Sequence, residues 1–231
     1  MSKGFCAALL LLAGCGLYGV DGNGERVSEV RPLQGFSAVS CDGSLDVTIH
    51  RGDEFRVEVS IDSNLLPLVH TDVSGDVLRI DSDRIGDTVA GPNVIVTMPA
   101  LRSAALNGSG TVWAGGFQET QPVSLVLDGS GDLAFAGDAS RVDVRLSGSG
   151  DTRLQGTADA LSVNLDGSGT VDAYNFAATT ADVALSGSGD VAASVSGSVR
   201  VSLSGSGTVD LYGDAVLERI EVSGSGEIRR H

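Results

Sequence analysis

The sequence is poor in aromatic residues, proline and lysine, and each shortage excludes a class of protein. Aromatic residues make up 4% of the 231 positions, and 5 prolines beside 32 glycines fit neither a proline-rich linker nor collagen. Lys3 is the only lysine, and the formal net charge is −15. A chain this acidic repels nucleic acid, so we expect no nucleic-acid partner. The small and aliphatic residues that remain favour strands and tight turns over helices.

The N-terminal apolar run, residues 5–13, is too short to span a bilayer and follows Lys3, as in a secretory signal. It leads into the letters "LAGC", which resemble the bacterial lipobox, where small residues before the cysteine admit the signal peptidase. The resemblance implies acylation of Cys15 and anchoring by two or three chains. Gly16 stands where aspartate would signal retention in the inner membrane, which favours the outer membrane, on its periplasmic or surface face. An ordinary cleaved signal peptide is the alternative.

The three cysteines leave no pair for a structural disulfide. Cys6 departs with the signal and Cys15 is expected to be acylated, so Cys41 stands alone. We expect Cys41 to be a buried, unreactive thiol, because His50 is the only histidine near it in sequence.

Gly-Ser-Gly occurs seven times in the second half of the chain at nearly constant spacing. Successive copies begin 21, 19, 19, 20, 18 and 19 residues apart. This period indicates a solenoid in which stacked coils share one core and each copy is a corner. Glycine at a corner permits positive φ or close approach of the next coil. The corner glycines are Gly108, Gly110, Gly129, Gly131, Gly148, Gly150, Gly167, Gly169, Gly187, Gly189, Gly205, Gly207, Gly224 and Gly226.

Aliphatic residues alternate with more polar ones on both sides of each corner, which is the pattern of one face of a strand. The positions two before each first glycine are Leu106, Leu127, Leu146, Leu165, Leu185, Leu203 and Val222. Stacking in register would also make lateral neighbours of oppositely charged outward residues. These predicted neighbours are Arg153 with Asp172, Asp182 with Arg200, and Asp210 with Arg229.

The serial corners "LSGSGD" and "LDGSGT" resemble those of the "putative auto-transporter adhesin, head GIN domain" family of bacterial secreted or lipid-anchored proteins. The segment that begins "FSAVSCDGSLDVTIHRGDEFRVEVSI" is similar to the opening of that domain, and "VIVTMPALRSAALNGSG" to its entry into the array. The similarity covers about residues 30–228. It implies an all-β fold, a right-handed parallel β-helix-like solenoid, and it supplies no active-site residues.

These observations divide the chain into four segments. Residues 1–14 are expected to be the lipoprotein signal peptide, and residues 15–29 the lipidated cysteine and a tether. Residues 30–106 form an N-terminal β region, either irregular coils or an antiparallel cap on the solenoid. Residues 107–231 form the Gly-Ser-Gly solenoid, with coils of about 19 residues.

Carboxylates beside the corners are the candidates for a metal site, with calcium as the cation. They are Asp128, Asp132, Asp151, Asp166 and Asp190. Serine or threonine often replaces aspartate at the equivalent positions, and aspartate at a turn commonly bonds its own backbone. We therefore expect no metal and no cofactor. The corner is also not a hydrolase elbow, because the spacing Gly-x-Ser-x-Gly is missing.

The pattern as a whole favours a non-enzymatic, lipid-anchored envelope protein that binds a surface glycan or a protein in the manner of an adhesin. The alternative is a carbohydrate-active lyase or hydrolase, since many β-helix proteins are such enzymes. Its outward aromatic candidates would be Trp113, Tyr174 and Tyr212, the last two aligned but two coils apart. A third hypothesis is a structural envelope protein that self-associates through the ends of the solenoid.

Overall fold

The fold is that of a computed structural model, which describes residues 19–88, 91 and 93–231. Within this part the regular elements are β-strands apart from one 3-10 helix, η1 (Leu66–Leu68). The described residues contain no helix long and apolar enough to cross a membrane. The predicted signal peptide and Cys15 lie outside the described residues. The predicted all-β parallel solenoid is confirmed, with about seven turns.

The described residues form 17 strands of a single sheet, and in chain order these fall into two groups, before and after residue 120. The first group is β1 (Arg26–Arg31), β2 (Ala38–Gly43), β3 (Asp46–Arg51), β4 (Arg56–Asp62), β5 (Val69–Ser74), β6 (Val77–Ser82), β7 (Asn93–Met98), β8 (Ser103–Gly108) and β9 (Thr111–Glu119). The second group is β10 (Val123–Gly129), β11 (Asp132–Gly148), β12 (Asp151–Gly167), β13 (Thr170–Gly187), β14 (Asp190–Gly205), β15 (Thr208–Tyr212), β16 (Val216–Gly224) and β17 (Glu227–Arg230). Strands β11 to β14 are long because each runs around a coil from one corner to the next.

Successive coils stack in parallel and in register, as the aliphatic columns predict. Leu127 pairs with Leu146, Leu146 with Leu165, Leu165 with Leu185, and Leu185 with Leu203. Each of these leucines is at most 2% exposed. The single core therefore runs along the axis of the solenoid, and every coil covers the apolar side chains of the coil before it.

The corners pack glycine on glycine. The first glycines have φ between +118° and +145°, a region that glycine enters without steric cost. The carbonyls of the first six of these glycines also accept a hydrogen bond from the next coil; the amide of Ser149, for example, donates to Gly129 O over 3.0 Å. The second glycines need to be small for a different reason. A Cβ on Gly150 would overlap the Gly131 carbonyl and a methyl group of Leu127.

The N-terminal region contains one further coil and an antiparallel cap, so both alternatives left open by the sequence are present. Strands β2 and β3 form the first coil, parallel to β8 and β9, with an eighth corner at Gly43 opposite Gly108. Strands β6 and β7 pair in parallel with β2 and β3 on the other side. Strands β4, β1 and β5 then add antiparallel to β7, β4 and β6. We call β1 and β4 to β7 the N-terminal cap.

Residues 19–29 differ from the predicted tether, because they are bound to this cap. Val20 forms a parallel bridge with Ile85, and the amide of Gly22 donates to Asp87 O over 2.8 Å. Strand β1 begins at residue 26 and pairs along its whole length with β4. The glycines and charged residues of this segment suggested a flexible linker, but its backbone groups find partners in the cap.

The outward charges stack as predicted, although the ion pairs they form are mostly different. Asp182 lies opposite Arg200, and their side chains are 3.4 Å apart. Arg153 lies opposite Asp172 but bonds instead to Asp132 and Asp151, at 3.1 and 2.9 Å. A long guanidinium can reach several carboxylates on the same face, so register alone does not decide its partner.

Candidate functional site

A groove lined by two tyrosines is the main aromatic feature of the described surface. It has a volume of about 570 Å³ and lies over β13, β14 and β15. Tyr174 and Tyr212 contribute its rings, and Asn175, Ser196 and Asp214 contribute polar groups. We call it the tyrosine groove. Tyr174 is 53% exposed, so its side chain is accessible to a ligand.

A bulge and a small residue bring the two tyrosines together across an intervening coil. Ala173 pairs with Ala193 and Ala177 pairs with Ser194, so residues 174–176 bulge away from β14. Ser194 Oγ donates to the Tyr174 carbonyl over 2.6 Å and holds this bulge in place. Because the serine side chain is short, the rings of the flanking coils meet above it. Their centroids are 4.6 Å apart, at 78°.

His231 extends the aromatic cluster by one coil. Its amide donates to Leu211 O over 2.9 Å, which continues the pairing of the last strand. Its ring stacks on Tyr212, with centroids 4.6 Å apart and an angle of 15°. His231 Nε2 also bonds Asp210 Oδ1 over 2.8 Å. The carboxylate therefore orients the imidazole over the tyrosine ring.

The charged groups around the groove are mainly acidic. Asp214 lines it, and Asp210 lies at its His231 end. Of the two arginines of the last coil, Arg229 lies opposite Asp210 and bonds Glu227 over 2.8 Å, and Arg230 donates to a backbone carbonyl over 3.1 Å. The hydrogen bond from Arg229 lowers the pKa of the Glu227 carboxyl. A ligand in this groove meets carboxylates and hydrogen-bonding groups rather than a basic patch.

The predicted aromatic candidate Trp113 lies away from this groove. Its ring rests over Gly115, where a Cβ would overlap it, and meets the edge of His50 at a centroid distance of 5.3 Å. Trp113 is 37% exposed, whereas Phe117 of the same strand is fully buried. Of the three predicted aromatic candidates, Tyr174 and Tyr212 therefore contact each other. Trp113 lies apart from them and contacts His50, between the first two coils.

The candidate calcium ligands lie on both sides of the corners and do not form one cluster. Asp132 is opposite Asp151, and Arg153 bonds both carboxylates, so a guanidinium already occupies the place of a cation between them. Asp128 and Asp166 are separated by a coil that carries serine, and Asp190 stands opposite a threonine. In the described residues no group of three or more His, Cys, Asp or Glu side chains could hold a metal ion.

Cys41 is buried in the core of the first coil. It is 0% exposed, and its Sγ donates to Leu45 O over 3.9 Å. Burial, followed by repulsion from nearby carboxylates, raises the pKa of the thiol to about 12. A thiol held neutral in this way is a poor nucleophile, in agreement with the inert thiol that the sequence predicts.

The sequence aligns Tyr174 with Tyr212 but predicts neither the contact between their rings nor the contribution of His231. One signal was available. The repeat that contains Tyr174 has 20 residues between corners and the next has 18, so extra residues had to leave the regular path near that position.

Comparisons with known proteins agree with this architecture. A family model described as "putative auto-transporter adhesin, head GIN domain" matches residues 35–215. A "putative adhesin" from Bacteroides fragilis superposes with a TM-score of 0.84 at 18% identity, covering 92% of this chain and 100% of the other. A "putative lipid binding protein" from Parabacteroides distasonis gives 0.69 at 21%, covering 92% and 99%.

A third structure, a "putative adhesin" from Parabacteroides merdae, gives a TM-score of 0.66 at 19% identity, covering 93% of this chain and 99% of the other. At these identities the likeness shows the fold alone. A search among curated proteins found no match. Since the family model spans most of the chain, the protein belongs to the family described as putative auto-transporter adhesin, head GIN domain.

Proposed function

We propose that the protein is a lipid-anchored, non-enzymatic binding module of the bacterial cell envelope, of the adhesin type, and that the tyrosine groove is its ligand-binding surface. The observation that carries this proposal is the cluster of Tyr174, Tyr212 and His231 on an otherwise repetitive exterior. Exposed aromatic rings are costly to leave in water and are typical of binding surfaces. Membership of an adhesin-like family supports a cell-envelope or surface role.

The path of the chain supports presentation of the groove away from a membrane. Cys15 lies four positions before Gly19, and four extended residues span at most about 14 Å. Since Val20 is already bound to the N-terminal cap, acyl chains on Cys15 would hold that cap close to the bilayer. Tyr174 and Tyr212 follow corners four and six coils beyond Gly43, roughly 20–30 Å farther along the axis at the usual strand spacing. The groove would therefore lie in the part of the solenoid that is distant from the anchor.

The roles of the carboxylates support binding rather than catalysis. The carboxylate of Asp172 accepts a hydrogen bond from the backbone amide of Tyr174 over 3.0 Å, and the carboxylate of Asp210 orients the ring of His231 through a bond to its Nε2. Both side chains thus hold the aromatic residues in place, whereas glycosidases use a pair of carboxyl groups that flank the scissile bond.

Labelling with a palmitate analogue tests the anchor. We expect label on the wild-type protein and none on the Cys15→Ala variant, which should leave the membrane fraction. An unlabelled wild type, or a variant that keeps the label, would show that Cys15 is not the anchor.

Turnover assays test the non-enzymatic part of the proposal. The purified full chain is incubated with neutral and acidic polysaccharides, and new reducing ends or unsaturated products are measured. We expect none above background. Product formation that disappears in the Asp214→Asn variant would establish the carbohydrate-active alternative.

A further inference from the structure

We propose that the tyrosine groove binds a neutral glycan whose chain runs along the solenoid axis, an inference that rests on the proposed binding function. Tyr174, Ser194, Tyr212 and His231 each stand five positions after the second glycine of four successive coils. Ser194 pairs with Tyr212, and His231 continues the same ladder. The bulge brings the ring of Tyr174 against that of Tyr212, so the four residues follow one outward column with a rise of about 4.8 Å per coil. A linear ligand laid along this column meets the aromatic side chains one after another.

The groups in the groove match the surface of a sugar. A pyranose ring presents C–H groups on its faces and hydroxyl groups around its edge. The half-exposed side chain of Tyr174 offers an aromatic surface to those C–H groups. Asn175, Ser196 and Asp214 offer amide, hydroxyl and carboxylate groups beside it. The hydroxyl of Ser196 already donates to the Ala178 carbonyl, but an acyl chain would leave Asn175 and Asp214 without partners, which costs binding energy that a polyol does not lose.

The charge of the groove selects among glycans. Asp210 and Asp214 border it, and the protein as a whole carries a formal charge of −15. Uronic acids, sulfated sugars and phosphorylated lipids would meet repulsion at this site. Neutral hexose polymers carry no such penalty, and their hydroxyl groups can donate to the carboxylate of Asp214.

Hydrogen bonds within the protein hold the side chains of the groove in place without a ligand. Ser194 binds the carbonyl of Tyr174 and Asp172 binds its amide, so the bulge that carries the ring is held on both sides. Asp210 holds His231 against Tyr212 in the same way. Such preorganisation reduces the entropy lost on binding. The groove is nevertheless open, so we expect dissociation constants on the order of 0.1–1 mM for a single chain, and tighter binding where many anchored copies act together.

Binding of defined oligosaccharides to the purified full chain tests this inference. The probes are neutral hexamers of glucose, mannose and N-acetylglucosamine, a hexamer of galacturonic acid, and vesicles of phosphatidylethanolamine and phosphatidylglycerol. Affinity is measured by titration calorimetry and by the chemical shifts of the tyrosine ring protons. The variants are Tyr174→Ala and Tyr212→Ala, with Tyr174→Phe as the matched control that keeps the ring and Trp113→Ala as an aromatic control outside the groove.

We expect at least one neutral hexamer to bind and the galacturonate hexamer and vesicles not to bind. Loss of the ring in Tyr174→Ala should weaken binding about tenfold, as for other aromatic stacking contacts, while Tyr174→Phe and Trp113→Ala stay near the wild-type value. Because Tyr174 is half-exposed, Tyr174→Ala should keep the wild-type circular dichroism spectrum and an unfolding midpoint close to that of the wild type.

Three results would overturn the inference. The first is that none of the neutral hexamers binds. The second is that a neutral hexamer binds equally well to Tyr174→Ala. The third is that only galacturonate or vesicles bind. Tyr174-dependent binding of vesicles alone would reject the glycan and still support a binding module. Cys15-independent labelling or polysaccharide turnover would reject the proposed function itself.

Discussion

Replacing a corner glycine by alanine measures how much stability comes from the contact between stacked corners. Gly167 has φ +136° and lies on Gly148, and a Cβ at this position would be 2.1 Å from the Gly148 carbonyl oxygen. Gly43 occupies the same corner position in the first coil with φ +112°, but a Cβ there would meet nothing within 4 Å. The two substitutions therefore share the backbone penalty, and Gly167→Ala alone carries the collision.

The expected magnitudes follow from these two contributions. A side chain in the left-handed region costs about 1–2 kcal/mol, of which about 0.4–1 kcal/mol is returned because alanine restricts the unfolded chain. Gly43→Ala should thus lower the free energy of unfolding by about 1 kcal/mol. Gly167→Ala must also displace a carbonyl that is fixed by the ladder, and overpacking of this kind adds about 1–3 kcal/mol. We expect a total near 3 kcal/mol.

Urea denaturation of both variants and the wild type provides the measurement. Far-UV circular dichroism follows the strands, and fluorescence of Trp113, the single tryptophan, follows the first two coils. With a slope of about 2–3 kcal/mol/M, the Gly167→Ala midpoint should fall by roughly 1 M and the Gly43→Ala midpoint by less than half of that. Equal shifts in the two variants would show that φ alone selects glycine at the corners and would refute the stacking contribution.

Three further predictions concern single side chains. Thr152 is 1% exposed and its Oγ1 has no hydrogen-bond partner, so Thr152→Val should raise the free energy of unfolding by about 1 kcal/mol in the same urea assay, and a loss would contradict this. Burial raises the pKa of Cys41 to about 12 from 9.0, so the buried neutral thiol stabilises the fold below pH 9, and this contribution is lost as the pH rises from 9 towards 12. The Cys41→Ala variant should therefore lose less stability than the wild type over that interval. In the native protein, Cys41 should react with maleimide only on unfolding. Arg200 bonds Asp182 at an exposed surface, so Asp182→Asn should cost under about 1 kcal/mol, with the difference disappearing in 1 M salt.

The interior of the solenoid could be predicted from the sequence because two simple constraints define it. Alternation of aliphatic residues assigns each side chain to a face, and the repeated corner sets the alignment between coils. Leu127, Leu146 and Leu165 consequently stand on one another in the structure as they do in the aligned repeats. A shift of one residue would turn every one of them towards water, so the register has no close competitor.

The first coil was harder to predict because its corner lacks the second glycine. Leu45 stands there in place of glycine, and it is fully buried beneath Gly110. On its other side the first coil pairs with β6 and β7, but residues 83–92 between those strands contain no Gly-Ser-Gly, so no stacked corner forces the second corner position to be small. The repeat signal is therefore weakest at the end of the array, where the packing that produces it is absent.

The attachment of residues 19–29 and the partner of Arg153 could not be predicted for a related reason. Both depend on side chains and backbone groups that meet by geometry rather than by a repeated pattern. Val20 bridges Ile85, which lies in an irregular segment between β6 and β7, and no periodicity relates the two. Arg153 had several carboxylates within reach, and the sequence offered only the one directly opposite.

The tyrosine groove shows how a repetitive fold can acquire a specific site. In the regular coils the inward side chains pack in the core, and the outward side chains form nearly flat columns. A stack of coils of equal length therefore does not form a concave surface. Where the spacing between corners changes from 20 to 18 residues, the extra residues of β13 must bulge, and the shorter next coil leaves room beside them. Phe176 of that bulge is buried and anchors it, while Tyr174 is released to the surface. Variation in coil length, rather than the Gly-Ser-Gly motif itself, is therefore where binding sites are expected to arise in proteins built on this array.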